Sequence, residues 1–292
     1  MPKSISTSES RSLDQLREHY LIERELANRL RTAGAIERRA LYTSVYDELF
    51  HRVPLHPSRT MDRGAQARSV ARLMTLIEPL LAPDQTVLDV GCGDGALACN
   101  IAQRVARVYG VDVSHNFTQG LEHPDNFSLA ISDGTSIPLE PDSIDLAVSN
   151  QLMEHLHPDD ALEQLRNVFR VLKPGGRYLI ITPNRLSGPH DISMYFDDNA
   201  SGFHLKEYTV GELVGLLGKV GFGATQCITG GRGVGMRIPT WTVAAMEAGL
   251  GSLPRSLARS IARRRPLSTL LNIRLLATKP GGGNRLDTAR SA

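Results

Sequence analysis

Between Val87 and Ala98 the chain reads VLDVGCGDGALA, and the residue types here are spaced for ligand chemistry. An apolar, β-branched run breaks into Gly91, Gly93 and Gly95 and resumes with Ala96, Leu97 and Ala98, which predicts a strand, a tight loop and a helix. Glycines at alternate positions let the backbone take positive φ and let a ligand approach the main chain and the helix N-terminus. Gly91, Gly93 and Ala96 also satisfy the dinucleotide fingerprint G-x-G-x-x-G/A. Charge separates the two readings. Asp89 ends the strand and Asp94 lies in the loop, so two carboxylates stand where a pyrophosphate would sit. Like charges at contact distance cost several kcal/mol at an effective dielectric of roughly 20. A ligand with a cationic centre and no phosphate is favoured. Cys92, inside the loop, reads as a small filler rather than a nucleophile.

Other polar residues recur at predicted strand ends. Asp112 closes Arg107 to Val113 (RVYGVDV), roughly 20 residues past the glycine loop, where a carboxylate suits the vicinal hydroxyls of a ribose. Asp133 and Gly134 follow the strand Phe127 to Ile131 and taken alone read as a turn. Asn150 and Gln151 follow Ile144 to Ser149. Two histidines then offer proton chemistry. His155 ends Gln151-Leu152-Met153-Glu154-His155 after the fourth strand, and His204 follows the long loop after the fifth. His190, inside that loop, is a third and less favoured candidate.

The elements that must position these residues alternate. Ser12 and Gln15 form a capping box before Leu13, Leu16, Tyr20, Ala27 and Leu30, which recur at helical spacing. A second helix is predicted over Ile36 to Phe50, ended near Pro54 and Pro57, and a third over about Ala65 to Leu81. After the fourth strand, Pro158-Asp159-Asp160 open a helix over Ala161 to Leu172, and Lys173-Pro174-Gly175-Gly176 stop it before the strand Arg177 to Thr182. Thr182 to Phe203 is a long loop, a feature that in a compact domain is usually functional. Thr209 and Glu212 cap a helix to Val220, and Phe222 to Ile228 is the sixth strand. Gly230 to Gly235 reads as a flexible link, followed by helices over Trp241 to Leu250 and Ser252 to Arg264 and a last strand over Leu271 to Thr278. Strands alternating with helices predict a parallel sheet with right-handed crossovers and a ligand site at the strands' carboxyl ends.

The glycine stretch resembles motif I of the class I S-adenosylmethionine-dependent methyltransferases, and LKPGG before the fifth strand is similar to that family's pattern. The resemblance covers about Ala65 to Lys279. It implies an α/β, doubly wound, mostly parallel seven-stranded sheet of Rossmann-like methyltransferase type, with an N-terminal helical extension and a helical insertion before the last strand. Residues 1–64 would be a disordered N-terminus and helical cap, 65–279 the methyltransferase domain with an insertion over about 236–266, and 280–292 a flexible tail. It further implies S-adenosyl-L-methionine as cofactor, held by Asp89, Gly91, Cys92, Gly93, Asp112, Val113, Asp133, Gly134, Asn150 and Gln151, with Asp112 at the ribose and Asp133 at the adenine amino group. His155 and His204 are the catalytic candidates. A sharper resemblance, to ubiquinone O-methyltransferases and small-RNA 2′-O-methyltransferases, brings a divalent metal held by an E-x-x-E-H segment and a later histidine. Here Gln151 replaces the first glutamate and Glu154, His155 and His204 match the rest, so one anionic ligand is missing and no metal ligands are assigned.

Composition narrows the partners. A net charge of +2, from 33 basic against 31 acidic residues, implies no polyelectrolyte attraction to nucleic acid, and DNA is not expected. Cys92, Cys99 and Cys227, odd in number and without C-x-x-C spacing, suit reduced thiols in a cytoplasm. No signal-peptide core and no run of ~18 apolar residues is present, so the reading is cytoplasmic. The expected activity is methyl transfer to a small-molecule acceptor, at oxygen. An RNA or lipid-linked glycan acceptor, or a non-catalytic cofactor-binding scaffold, are the alternatives. Residues 252–265 place Arg255, Arg259 and Arg263 beside Leu253, Leu257 and Ile261, a pattern that suits peripheral contact with an anionic membrane or an outer face packed on its own domain.

Overall fold

The computed structural model describes residue 9 and residues 11–57, 62–114, 123–229 and 236–281. Two helices come first, α1 (Leu13–Thr32) and α2 (Ala35–Arg52). The Ser12–Gln15 capping box forms as its spacing requires, each residue satisfying the other's backbone N–H. Helix α3 (Arg63–Ile77) leads through a short 3₁₀ turn to strand β1 (Thr86–Val90), and the glycine loop then opens into α4 (Ala96–Ala102). Strands β2 (Arg107–Asp112), β3 (Phe127–Ile131) and β4 (Ile144–Asn150) follow, then α5 (Pro158–Val171), β5 (Leu172–Thr182) and α6 (Val210–Val220). The chain continues with β6 (Thr225–Thr229), β7 (Met236–Pro239), α7 (Thr240–Gly251), α8 (Arg255–Ala262), α9 (Leu267–Leu271) and β8 (Ile273–Thr278).

The sheet runs β3-β2-β1-β4-β5-β8-β6-β7. Its first five strands are parallel, and β8, β6 and β7 each pair antiparallel with their neighbours. Eight strands replace the expected seven. The extra one is β7, at the start of the stretch expected to be a helical insertion, where Met236 to Pro239 pair with Gln226 to Thr229 before the helices begin. Pro239 closes that strand on the sheet edge, where a missing N–H costs no ladder bond. The anticipated mobile N-terminus, glycine link and tail fall largely on residues 1–8, 10, 230–235 and 282–292, outside the described residues.

Alternation along β1 divides the core. Leu88 and Val90 pack on one face with α5, α6 and, unexpectedly for a cap, with Leu26, Leu30, Tyr42 and Val45 of α1 and α2. Val87 packs on the other face with Val70, Ile77, Leu97 and Ile101. The N-terminal helices are therefore built into the main core. A buried ion pair fixes them there: Arg38 donates through Nε and Nη2 to both oxygens of Asp160 at 2.7 and 2.8 Å, and the Tyr42 hydroxyl donates to the same carboxylate at 2.7 Å.

The long segment between β5 and α6 is held from two sides. Arg31 of α1 donates to the carbonyls of Ser201, Gly202 and His204. From α8 and its C-cap, Arg259 pairs with Asp198 at 2.9 Å, Arg263 donates to the Ser187 carbonyl at 2.8 Å, and Arg255 bonds Asn199. These three arginines thus meet the protein's own loop, while Ala258 and Ala262, not the leucines, form the buried face of α8; Leu253 and Leu257 remain exposed. Among the described residues no helix is long and apolar enough to cross a membrane.

Candidate active site

The carboxyl ends of β1, β2 and β4 and the turn after β3 surround a cavity of about 380 Å³. Its floor is the glycine loop. Gly91, Gly93 and Gly95 all have positive φ, as the alternate spacing anticipated. A Cβ on Gly91 would strike Leu152 at 2.9 Å, whereas one on Gly93 would meet no protein atom within 4 Å, so Gly93 faces space that a ligand can fill. Cys92 packs its sulfur against Gly110, and burial pushes its thiol well above the ordinary range, so it fills space and does not attack.

The two acidic strand ends differ. Asp112 accepts the backbone N–H groups of Gly93 and Val113 at 2.8 Å and of Ser114 at 3.2 Å, and lines the cavity beside Val113. Asp89 lies on the same side of β1 as Val87, buried, against a smaller cavity that also touches Asp94 and Asn150. One of its oxygens has no hydrogen-bond partner. Burial, then the Asp112 and Asp94 charges, push its carboxyl up to about 7. Such a group gains most from a cation. Among the described residues lining the 380 Å³ cavity there is no lysine or arginine, so none of them would neutralise a pyrophosphate.

At the opposite end the cavity wall is Ser132, Gly134, Ser136 and Gln164. The Asp133 carboxylate turns back to accept from the N–H groups of Thr135 and Ser136 at 3.0 and 2.7 Å and faces Arg39 at 3.6 Å. Those bonds use one oxygen of Asp133, and Asp133 itself is not among the residues lining this cavity. Gln164 instead sits buried against the Gly134 carbonyl at 3.3 Å with its side-chain oxygen unpartnered. Asn150 and Gln151 do line the cavity, and Gln151 holds a positive φ of 55°, a strained conformation of the kind that concentrates at functional sites.

His155 stands where this cavity meets a second one of about 440 Å³; Tyr46, Phe50 and His155 line both. Its Nδ1 donates to the Phe203 carbonyl at 3.1 Å, leaving Nε2 as the ring nitrogen with a lone pair. Burial and the neighbouring His204 push its pKa down to about 3, so the ring is neutral. His204 packs edge-on against it, with ring centroids 5.0 Å apart, and lines the second cavity. Burial disfavours a charge on His204, but its Nδ1 bond to Glu207 at 2.8 Å and the Glu154 and Asp191 charges outweigh that and raise its pKa. Glu207 also accepts the His190 N–H at 2.7 Å. Glu154 is fully buried; one oxygen accepts from Thr182 at 2.8 Å and the other has no partner. One donor atom each of Glu154, His155 and His204 lie within 4.8 Å of one another.

A methyltransferase-domain family profile matches residues 88–180, from the glycine strand through β5. The chain is 31% identical over 175 residues to a protein of Mycolicibacterium smegmatis named as a probable S-adenosylmethionine-dependent methyltransferase, an alignment covering 58% of this chain and 65% of that one. Residues 88–180 carry a methyltransferase domain. Against a ubiquinone biosynthesis O-methyltransferase of Aeromonas salmonicida the chain is 33% identical over 108 residues, 34% of this chain and 43% of the relative. Among solved structures, a phosphoethanolamine N-methyltransferase of Haemonchus contortus, in complex with phosphoethanolamine and S-adenosylhomocysteine, shares the fold with a TM-score of 0.58 at 17% identity, over 88% of this chain and 52% of that one. The chain spans roughly half to two thirds of the length of the first curated relatives it matches.

The methyltransferase cofactor fits the residues present. Its ammonium group suits the unpartnered Asp89 oxygen, its ribose hydroxyls suit Asp112, and the open side of Gly93 admits its close approach to the backbone. Three participants escaped sequence reasoning. Glu207 stands three residues after His204 and could have been noticed as a carboxylate–histidine spacing. Gln164 on α5 carries no local signal, because the Gly134 carbonyl it meets lies far along the chain, whereas Glu23 on α1 meets His19 one helical turn before it as well as the distant Phe203 N–H.

Proposed function

We propose that this protein transfers the methyl group of S-adenosylmethionine to a hydroxyl oxygen of a small molecule, with His204 as the base. The observation that carries this is the Glu207–His204 pair at 2.8 Å beside His155, at the wall the two cavities share. Asp89 would hold the cofactor's ammonium group and Asp112 its ribose. When bound, the cofactor supplies an activated methyl group and a neutral leaving group, so positioning carries much of the rate. A hydroxyl acceptor must still lose its proton. Glu207 fixes His204 with Nδ1–H toward the carboxylate, so Nε2 accepts that proton, while the neutral His155 packs edge-on against the base.

The sign of the pH dependence follows. A base works only when deprotonated, and His204 is raised above the ordinary histidine value, so kcat/KM should climb with pH through an inflection above about 6.5. Glu207→Gln should move that inflection down, and His204→Ala should cost ~10² to 10⁴ in kcat with cofactor affinity retained. Wild-type turnover in His204→Ala would remove the base. Absence of methyl transfer with every small-molecule pool, but transfer to RNA, would move the acceptor class.

A second reading rests on the unpartnered oxygen of Glu154. Glu154, His155 and His204 fit a divalent cation, since both rings have Nδ1 tied to an acceptor that fixes the other nitrogen for ligation. Such an ion would supply Lewis acidity to the acceptor hydroxyl. Gln151 would bring no charge to it. Manganese binding by calorimetry, lost in Glu154→Gln, supports this reading; full activity in a chelator excludes it.

A further inference from the structure

The second cavity is walled by α1, α2 and the segment between β5 and α6, and its lining is rich in hydrogen-bonding groups. Five of the chain's nine histidines line it, with Glu23 and Asp191. Tyr46, Phe50 and Phe203 give it aromatic walls. Its volume of about 440 Å³ lies within the ~300 to 1,000 Å³ of small-ligand sites.

The charges decide what it can hold. Arg11 is the sole lysine or arginine among its described lining residues, and its guanidinium is committed to Glu9 at 2.8 Å and to His19 Nδ1 at 2.7 Å. His204 is paired with Glu207 at 2.8 Å. Glu23 accepts from His19 at 2.7 Å and from the Phe203 N–H at 3.2 Å, and His56 faces it at 3.7 Å. Asp191 accepts the Gly202 N–H at 2.9 Å. A phosphate or carboxylate would meet carboxylates without an uncommitted arginine or lysine to receive it. Hydroxyl groups, which both donate and accept, match imidazoles and carboxylates in either sense.

Resting on the methyl-transfer reading above, we infer that the second cavity holds the acceptor and that the acceptor is an uncharged polyhydroxylated ring compound, a neutral sugar residue. One hydroxyl of that residue reaches the His155–His204 wall, its O–C bond to the methyl group forms as the C–S bond of the cofactor breaks, and its proton leaves to His204. The remaining hydroxyls meet Glu23, Asp191 and the histidines, with a ring face against the aromatic wall.

The test is saturation-transfer NMR on the full chain loaded with S-adenosylhomocysteine. The neutral probes are the methyl glycosides of glucose, mannose and rhamnose, and the charged ones are glucose 6-phosphate and glucuronate. At least one neutral glycoside should give a signal about tenfold above the charged sugars. Met194→Trp, at a half-exposed position that lines this cavity and not the first, should abolish that signal while S-adenosylhomocysteine affinity stays unchanged. Equal or stronger binding of the charged sugars, no signal from any neutral glycoside, or a signal that survives Met194→Trp would overturn the assignment. Failure of S-adenosylhomocysteine to bind at all would instead sink the methyl-transfer reading beneath it.

Discussion

Asp89 shows how a single residue trades stability for binding. In the free protein, burial and two neighbouring carboxylates raise it to about 7, so the folded chain retains a proton that the unfolded chain gives up in the ordinary carboxylate range. A carboxyl raised in this way costs stability at alkaline pH, and the cost shrinks as pH falls through about 7. A bound ammonium group reverses the balance by favouring the ionised form. Asp89→Asn should therefore raise the melting temperature of the cofactor-free protein at pH 8, while weakening cofactor binding by ~1.5 to 3 kcal/mol, the range for hydrogen bonds to charged groups. Scanning fluorimetry and calorimetry read the two effects separately; a lower melting temperature at pH 8 would contradict the account. Wild-type cofactor affinity should likewise fall as pH drops below 7.

At the scale of elements, α2 is the piece that joins cap to sheet. Tyr42 presses on Gly134, lines the 380 Å³ cavity, donates to Asp160 and accepts the His157 N–H at 3.0 Å, so a helix outside the expected domain shapes the Gly134 end of that cavity. Arg38 and Asp160 are both nearly inaccessible. Removing one member of such a pair strands the other charge, so Arg38→Ala should cost ~3 to 5 kcal/mol in urea denaturation. Replacing both by a matched apolar pair should cost much less. Equal losses in the two variants would show that the pair contributes through packing alone.

For the whole molecule, α1 is part of the core rather than a removable lid. Leu16, Leu26 and Leu30 are fully buried, and burial of each leucine contributes ~1.5 to 3 kcal/mol. Deleting residues 1–33 should give a protein with a melting temperature lowered by more than ten degrees or one that aggregates, not a folded enzyme with an open acceptor cavity. A truncated chain with unchanged thermal stability would return α1 to the role of an appendage.

The local features were readable from the chain alone. Positive φ at Gly91, Gly93 and Gly95, the Ser12 and Thr209 capping boxes, and the placement of Asp89, Asp112 and Asn150 at strand ends depend on residues within a turn or two of each other, and so their cause is written in the order of the sequence. The Rossmann-like order of the first five strands was legible for the same reason: alternation of strand and helix with short links leaves few topologies. Partner choice across long separations was not. Whether Asp133 lines the cavity, whether the arginines of α8 and its C-cap meet a loop or solvent, which carboxylate pairs with His204, and whether Met236 to Pro239 adds an edge strand all depend on which neighbour arrives in space. An isolated acidic or basic side chain carries no mark of its partner, so those outcomes were decided only when the tertiary structure brought α1, α2 and the β5–α6 segment around the mouth of the sheet.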